Sequence, residues 1–365
     1  MPVELRREPR SASAGLDVGI VSLATAVPTH AADQRQVVDA ARDVFRDQFE
    51  EFDRIAAVFF TAGIENRFTV KPFPWYLEEQ DWPSRTAAYV DGATALFIQS
   101  AAKALDAAGM GASQVDTIVT VSSTGIAAPS LEARAMAELG FRADVLRVPV
   151  FGLGCAGGAA GLALGAELAA ARPGSVVLVV AVELCSLAVR RDLATKANLV
   201  ALALFGDGAA AVVLKSGAQG RARITGARAH TWPDTLDIMG WRVDPTGFGV
   251  IFDQSIPRFA YDNLAGAVDG ILAAQGLARP DIARFICHPG GRKVVEAIEA
   301  SLTLRHQSLD HEREVLKRYG NMSAPTVLFV LEQALAAGPL PERALLMALG
   351  PGFTLSTVTL AAPSA

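Results

Sequence analysis

The chain has 365 residues, 51% apolar and 19% charged, with a net charge of −5 at pH 7. That length fits two domains or one large domain in two lobes, and the composition supports a large core and excludes a disordered chain. The acidic balance carries no basic signature, so no nucleic-acid partner is expected.

Residues 1–16 begin MPVELRREPRSASAG, polar and without an apolar h-region, and read as a flexible tail rather than a signal peptide. Helical periodicity runs from Pro83 to Met110 and ends in glycine signals. VDTIVTVSST, from Val115, predicts a buried strand entering a polar turn, and PSLEARAMAELG a short helix with Ser130 as N-cap. VLRVPVFG predicts a second strand, although Pro149 suits a central position poorly. Cys155 to Ala171 is a helix of Ala, Gly and Leu, SVVLVVAVE a third strand, and AAAVVLKS, after Gly206-Asp207-Gly208, a fourth. The most apolar stretch, Ser175 to Val189, contains Glu183 and is too short to span a bilayer, so no membrane association is expected.

The order then recurs. Ile256 to Leu277 is a long helix, ARFICHPGG a strand running into a turn, GRKVVEAIEASL a helix, YGNMSAPTVLFVLEQALAAG a turn and helix, and RALLMALGPGF a strand with a glycine-proline turn. Ser123 lies 32 positions before Cys155, and His288 lies 33 before Asn321; Cys155 to Glu183 and Asn321 to Leu349 are both 28. The overlay predicts an internal duplication, with an N-terminal half at 17–230 and a C-terminal half at 231–365, a period too long for a solenoid. A helix of small residues with no polar face belongs between two sheets. Stacking the halves predicts an α/β fold layered α-β-α-β-α.

Gly152, Gly154 and Gly157 spell G-x-G-x-x-G, as in a dinucleotide-binding turn. That reading fails on three counts: two strand–helix units precede the turn, a cysteine has no role in holding a pyrophosphate, and the motifs of the second half stay unexplained. The three cysteines, Cys155, Cys185 and Cys287, form no CxxC pair, and the five histidines do not cluster with them at zinc-ligand spacing. No metal and no disulfide framework are expected, and a reducing, cytoplasmic setting fits. A cysteine at the first turn of a helix meets unpaired N–H groups and the positive dipole end, which favour its thiolate. On this segment alone, a small core residue in a glycine turn is an equal reading of Cys155. His288 ends a strand before Pro289-Gly290-Gly291, and Asn321 opens an apolar helix, where alone it reads as an N-cap. The duplication sets Cys155 and Asn321 at equivalent helix starts, with His288 at the matching sheet edge. Cys, His and Asn in one pocket are a set for acyl transfer.

Five segments in order carry a wider likeness: GLGCAGG around Cys155, LFGDGAAA at 204–211, CHPGG at 287–291, YGNMSAPTVLF at 319–329 and LGPGF at 349–353. From about residue 17 the chain resembles the type III polyketide synthases, the chalcone-synthase-like branch of the thiolase superfamily. GFGVIFDQSIP looks more like bacterial than plant members. The resemblance implies the five-layered thiolase-like fold, a homodimer, and no cofactor beyond CoA thioesters used as substrates. It implies that Cys155 carries the acyl group of a starter acyl-CoA, with His288 holding its thiolate as an ion pair. His288 and Asn321 would hydrogen-bond the thioester carbonyl of malonyl-CoA while carbon dioxide leaves, where fixed donors act best.

Other positions follow from the same resemblance. Phe205 matches a phenylalanine gating the passage from CoA tunnel to cavity, Gly350-Pro351-Gly352 the cyclisation-pocket loop, and Ser323 a serine near the nucleophile. Ser123, Thr124, Ala128, Glu183, Cys185, Ala188, Gly240 and Val250 fall on cavity positions. Several are smaller or more apolar than in chalcone-forming members. That implies a roomier cavity, a fatty acyl starter and an alkylpyrone or alkylresorcinol product. For CoA the resemblance leaves Arg54 on one side of the tunnel mouth and Arg292 and Lys293 on the other. The runner-up is a ketoacyl-ACP synthase III-like enzyme, which follows its histidine with Gln-Ala-Asn rather than Pro-Gly-Gly.

Overall fold

The computed structural model describes residues 16–48 and 52–363, so nearly all of the expected tail at 1–16 lies outside the described residues. The first half runs through β1 (Val18–Ala26), β2 (His30–Asp33), α1 (Gln34–Phe45), α2 (Phe52–Thr61), β3 (Asn66–Thr69), α3 (Phe73–Leu77) and α4 (Trp82–Ala108). It continues with β4 (Thr117–Val121), α5 (Leu131–Leu139), β5 (Leu146–Val150), α6 (Gly157–Ala171), β6 (Val176–Leu184), α7 (Lys196–Leu204) and β7 (Asp207–Ser216). β8 (Ala222–Thr231) lies before the expected 230/231 boundary but pairs with β13 and is grouped with the second half, which goes on with the hairpin β9 (Met239–Asp244) and β10 (Gly247–Phe252), α8 (Ile256–Ala273), β11 (Arg284–Cys287), α9 (Arg292–Ser301), α10 (Asp310–Tyr319), α11 (Thr326–Ala337), β12 (Ala344–Gly350) and β13 (Thr354–Ala361).

Strand pairing shows the duplication directly. β4 runs parallel to β5 and β6, β6 antiparallel to β7, and β7 antiparallel to β1. In the second half β11 runs parallel to β12, β12 antiparallel to β13, and β13 antiparallel to β8. Among the described residues no strand of the second half answers to β5. The two sheets are also joined: Val18–Ile20 of β1 pairs with Ala222–Ile224 of β8 as well as with β7. The result is one nine-stranded order, β11-β12-β13-β8-β1-β7-β6-β4-β5.

The central strands, such as β4, β6, β7 and β12, are buried on both faces, and their side chains alternate between two cores. Val119, Val177, Val179, Val212 and Leu214 pack on α6 and α11, while Ile118, Leu178, Val180 and Val213 pack on α4 and α5. On β12, Ala344, Leu346 and Ala348 face the central helices, and Leu345, Met347 and Leu349 face α8 and α9. The layers are therefore helices, sheet, helices, sheet, helices, as expected. Small residues in α6 serve proximity: a Cβ on Gly158 would lie 2.1 Å from the Ala324 carbonyl oxygen, and one on Gly165 2.4 Å from Val179 Cγ2. By length and composition the Gly154–Ala171 stretch could cross a membrane; here it is packed between the sheets.

Two local expectations change. Pro149 sits on β5, the edge strand, where its missing N–H costs the ladder nothing. Ser130 occupies the N-cap position of α5, but its hydroxyl bonds the Glu132 carboxylate instead of capping the helix.

Candidate active site

The helix expected from Cys155 begins properly at Gly157. Gly154–Ala156 form a 3-10 turn ahead of it, and this turn holds Cys155, 9% exposed. Gly152 and Gly154 have φ of 90° and 47°, conformations that glycine adopts without strain. The close approach also needs glycine: a Cβ on Gly154 would lie 2.7 Å from Pro351 Cδ, and one on Gly350 2.5 Å from the Leu153 carbonyl oxygen. The 350–352 loop is thus packed against the cysteine turn.

Asn321 reaches the same place from the second half. Its backbone N–H donates to the Leu204 carbonyl at 2.8 Å, and its carbonyl accepts from Gly206 N at 3.0 Å, bridging it to Phe205. The side-chain Nδ2 donates to the Gly290 carbonyl at 3.1 Å, and Oδ1 accepts from Ser323 N at 2.8 Å. Asn321 is therefore not the cap of α11, a position held by Pro325. Ser323 is held at φ 58°, a left-handed conformation unusual for a residue with a Cβ. Burial pushes the Cys155 thiol up to about 11; hydrogen bonding to Ser323 and Asn321 pulls it down, and the charge of Glu183 pushes it up.

His288 follows β11, its N–H donating to the Met347 carbonyl at 2.9 Å. Its ring is buried, neither nitrogen has a hydrogen-bond partner among the described residues, and burial lowers it to about 3. Burial thus pushes both groups toward their neutral forms, against the thiolate and ion pair with His288 that the resemblance implies. Loss of solvent disfavours both charged forms.

Around this centre lie most of the other expected positions. Phe205 and Cys185 share an apolar cluster with Ala62, Ile64 and Leu204, against which Val250 packs. Ala188 is buried on the same 3-10 turn as Cys185, and Gly240 pairs with Ile251 beside the Trp241–Val250 pair. Glu183 is fully buried and accepts from Ser123 N at 2.9 Å and from Thr124 Oγ1 at 2.7 Å. Ser123 and Thr124 therefore spend their polar groups on the protein instead of offering them to a cavity.

Ala128 is not brought in: its loop turns outward after Thr124, leaving it exposed near Ile126. Arg54 is exposed on α2. Arg292, exposed at the start of α9, is ion-paired with Glu296 at 2.8 Å and donates its backbone N–H to the Ala62 carbonyl at 3.2 Å. Lys293, exposed, follows it.

Two site residues escaped the sequence reading. Trp241 lies 6.3 Å from the Phe205 ring and donates its indole N–H to the Ser123 carbonyl at 2.8 Å; its only signal was adjacency to Gly240. Buried Arg67 donates to the carbonyls of Leu202, Ala203 and Phe205, fixing the backbone beside Asn321, and nothing in its local sequence marks it.

Fold and site together define a condensing enzyme of the thiolase-like architecture. The family model described as chalcone and stilbene synthases matches residues 77–218 with its N-terminal domain and 223–363 with its C-terminal domain. A 1,3,6,8-tetrahydroxynaphthalene synthase of Streptomyces peucetius subsp. caesius is 40% identical over 348 residues, covering 93% of this chain and 92% of its own. A putative chalcone synthase of Bacillus subtilis is 36% identical, covering 92% and 96%. The crystal structure of the 1,3,6,8-tetrahydroxynaphthalene synthase of Streptomyces coelicolor A3(2), a bacterial type III polyketide synthase, superposes with a TM-score of 0.90 at 28% identity over 95% of this chain and all of that one. The chain belongs to the chalcone and stilbene synthase family and is a type III polyketide synthase, an acyltransferase of the Claisen-condensing kind. The ketoacyl-ACP synthase alternative is not favoured.

Proposed function

We propose that Cys155, His288 and Asn321 are the catalytic residues of iterative decarboxylative condensation of malonyl-CoA onto an acyl group held at Cys155. His288 takes the thiol proton and holds the Cys155 thiolate as an ion pair while the sulfur attacks the starter thioester, then returns the proton to the departing CoA thiolate. With the acyl group in place, an imidazole N–H and Asn321 Nδ2 bind the malonyl thioester oxygen. The carbon–carboxylate bond breaks, carbon dioxide leaves, and its electron pair forms an enolate stabilised on that oxygen. The enolate carbon attacks the acyl thioester and frees Cys155. The supporting observation is the meeting of Cys155 with the Asn321 and Ser323 side chains where the two halves join. Replacement of Cys155 by alanine is expected to abolish product; retained condensation overturns the reading.

The starter we propose is a fatty acyl-CoA, giving an alkylpyrone or alkylresorcinol, supported by the apolar cluster of Cys185, Phe205 and Val250. A second reading, malonyl-CoA as its own starter, is favoured by the names of the tetrahydroxynaphthalene synthases among its relatives. Supplying purified protein with malonyl-CoA and acyl-CoAs of graded length, with mass spectrometry of the products, separates the two. A naphthalene product made equally well without added acyl-CoA defeats the fatty acyl starter.

We further propose a cytoplasmic homodimer without a metal or bound cofactor, with CoA held near Arg54, Arg292 and Lys293. Ile126 (54% exposed) on the β4–α5 loop, and Leu146 and Phe151 (57% exposed) at the two ends of β5, are exposed apolar side chains that a second copy would cover together with Ala128. Light scattering that shows a monomer at working concentration would count against it.

A further inference from the structure

We infer that Glu183, in its ionised form, is a positioning residue for Cys155 and acts through Ser123 rather than on the substrate. The inference rests on the reading of Cys155 as acyl carrier. Both carboxylate oxygens of Glu183 accept the Ser123 N–H, at 3.0 and 2.9 Å, and Oε2 also accepts from Thr124 Oγ1 at 2.7 Å. Thr124 Oγ1 in turn accepts the Leu184 N–H at 2.8 Å, so its own proton is committed to the carboxylate. The Ser123 hydroxyl oxygen accepts from Gly152 N at 3.1 Å and Gly154 N at 3.3 Å, the glycines whose left-handed backbone presents Cys155. The Ser123 carbonyl accepts from Trp241 on β9. One serine thus ties a buried carboxylate to the cysteine turn and to the wall opposite it.

The arrangement favours an acceptor. Ser123 N–H and Thr124 O–H both donate to Glu183, and the Ser122 side chain also bonds it, so a protonated Glu183, or a glutamine there, would have to give up one of these bonds or turn a hydroxyl round. Burial pushes the Glu183 carboxyl up to about 7, against the hydrogen bonds that favour its charge. The groups facing it are Tyr89 from α4, Cys155, and Cys185 after β6, with Glu132 behind Tyr89 and Asp207 behind Cys185; none is a cation. The charge of Glu183 also pushes the Cys155 thiol up. Positioning and electrostatics therefore predict opposite signs: removing the charge loosens the turn yet eases formation of the thiolate.

The test compares the full-length wild type with Glu183→Gln and Ser123→Ala. It reads kcat and KM for malonyl-CoA across pH, acyl loading of Cys155 by mass, and the rate of Cys155 alkylation by iodoacetamide. Wild-type kcat is expected to fall as pH drops through about 7. Glu183→Gln should lose roughly tenfold to a hundredfold in kcat above that pH with KM little changed. Its profile should be flat near neutrality, and its alkylation no slower than wild type. Ser123→Ala should show the same kcat loss and flat profile, and the double variant should be no worse than the poorer single one. Wild-type kcat and pH profile in Glu183→Gln, faster turnover alongside faster alkylation, or additive losses in the double variant would each overturn the inference. An unacylated wild-type Cys155 would instead remove the acyl-carrier reading, a failure told apart by the mass measurement.

Discussion

At the scale of single residues, one of the two side chains that hold the sulfur of Cys155 itself bears strain. Ser323 keeps φ at 58° and hydrogen-bonds the thiol, which lowers the thiol against the upward push of burial. Ser323→Ala should leave the backbone strain, remove that bond and slow Cys155 alkylation by iodoacetamide; an unchanged or faster rate would contradict this. Three buried carboxyls are pushed up by burial: Glu183 and Glu312 to about 7 and Asp207 to about 6. Each binds its proton more tightly folded than unfolded. Their contribution to stability is thus complete below about 4 and lost as pH rises through about 7. The melting temperature should fall over that interval, and Glu312→Gln should flatten part of the fall. Cys155, His288 and Asn321 could be picked out in the sequence because reactive residue types stood at repeated spacings. Ser123 as a hub, Trp241 and Arg67 could not. Their bonds span 118 positions in the case of Trp241 and Ser123, and 138 in that of Arg67 and Phe205.

At the scale of elements, the glycines of the helices divide by surroundings. A methyl group on Gly158 of α6 would meet the backbone of Ala324, which cannot move aside, whereas one on Gly266 of α8 would meet nothing within 4 Å. Gly158→Ala should destabilise by about 1–3 kcal/mol or more. Gly266→Ala should stabilise by roughly 0.5–1 kcal/mol. Urea unfolding of both variants checks the opposite signs. Periodicity and composition placed the strands and long helices well, because runs such as β6 are apolar on both faces. They placed one cap of two: Ser130 holds the N-cap position of α5 although its hydroxyl bonds Glu132, while Asn321 is not the cap of α11 and spends its side chain on Gly290 and Ser323.

At the scale of the whole molecule, matching gaps in the two series were enough to recover the duplication and the layer order. The missing counterpart of β5 and the joining of the sheets were not, since neither leaves a mark in hydrophobic periodicity. α6 and α11 contribute to one core fed by both sheets, so each half would expose that core if the other opened. Neither half has an inner surface of its own to retain when the other is lost.

The short run in which Val18–Ile20 meets Ala222–Ile224 makes β1 a seam between the two halves. With that seam closed, melting cannot proceed half by half. Scanning calorimetry should record a single endotherm, whose van't Hoff enthalpy per mole of the cooperative unit is at least the calorimetric value per chain, and weakening the seam should split it into two.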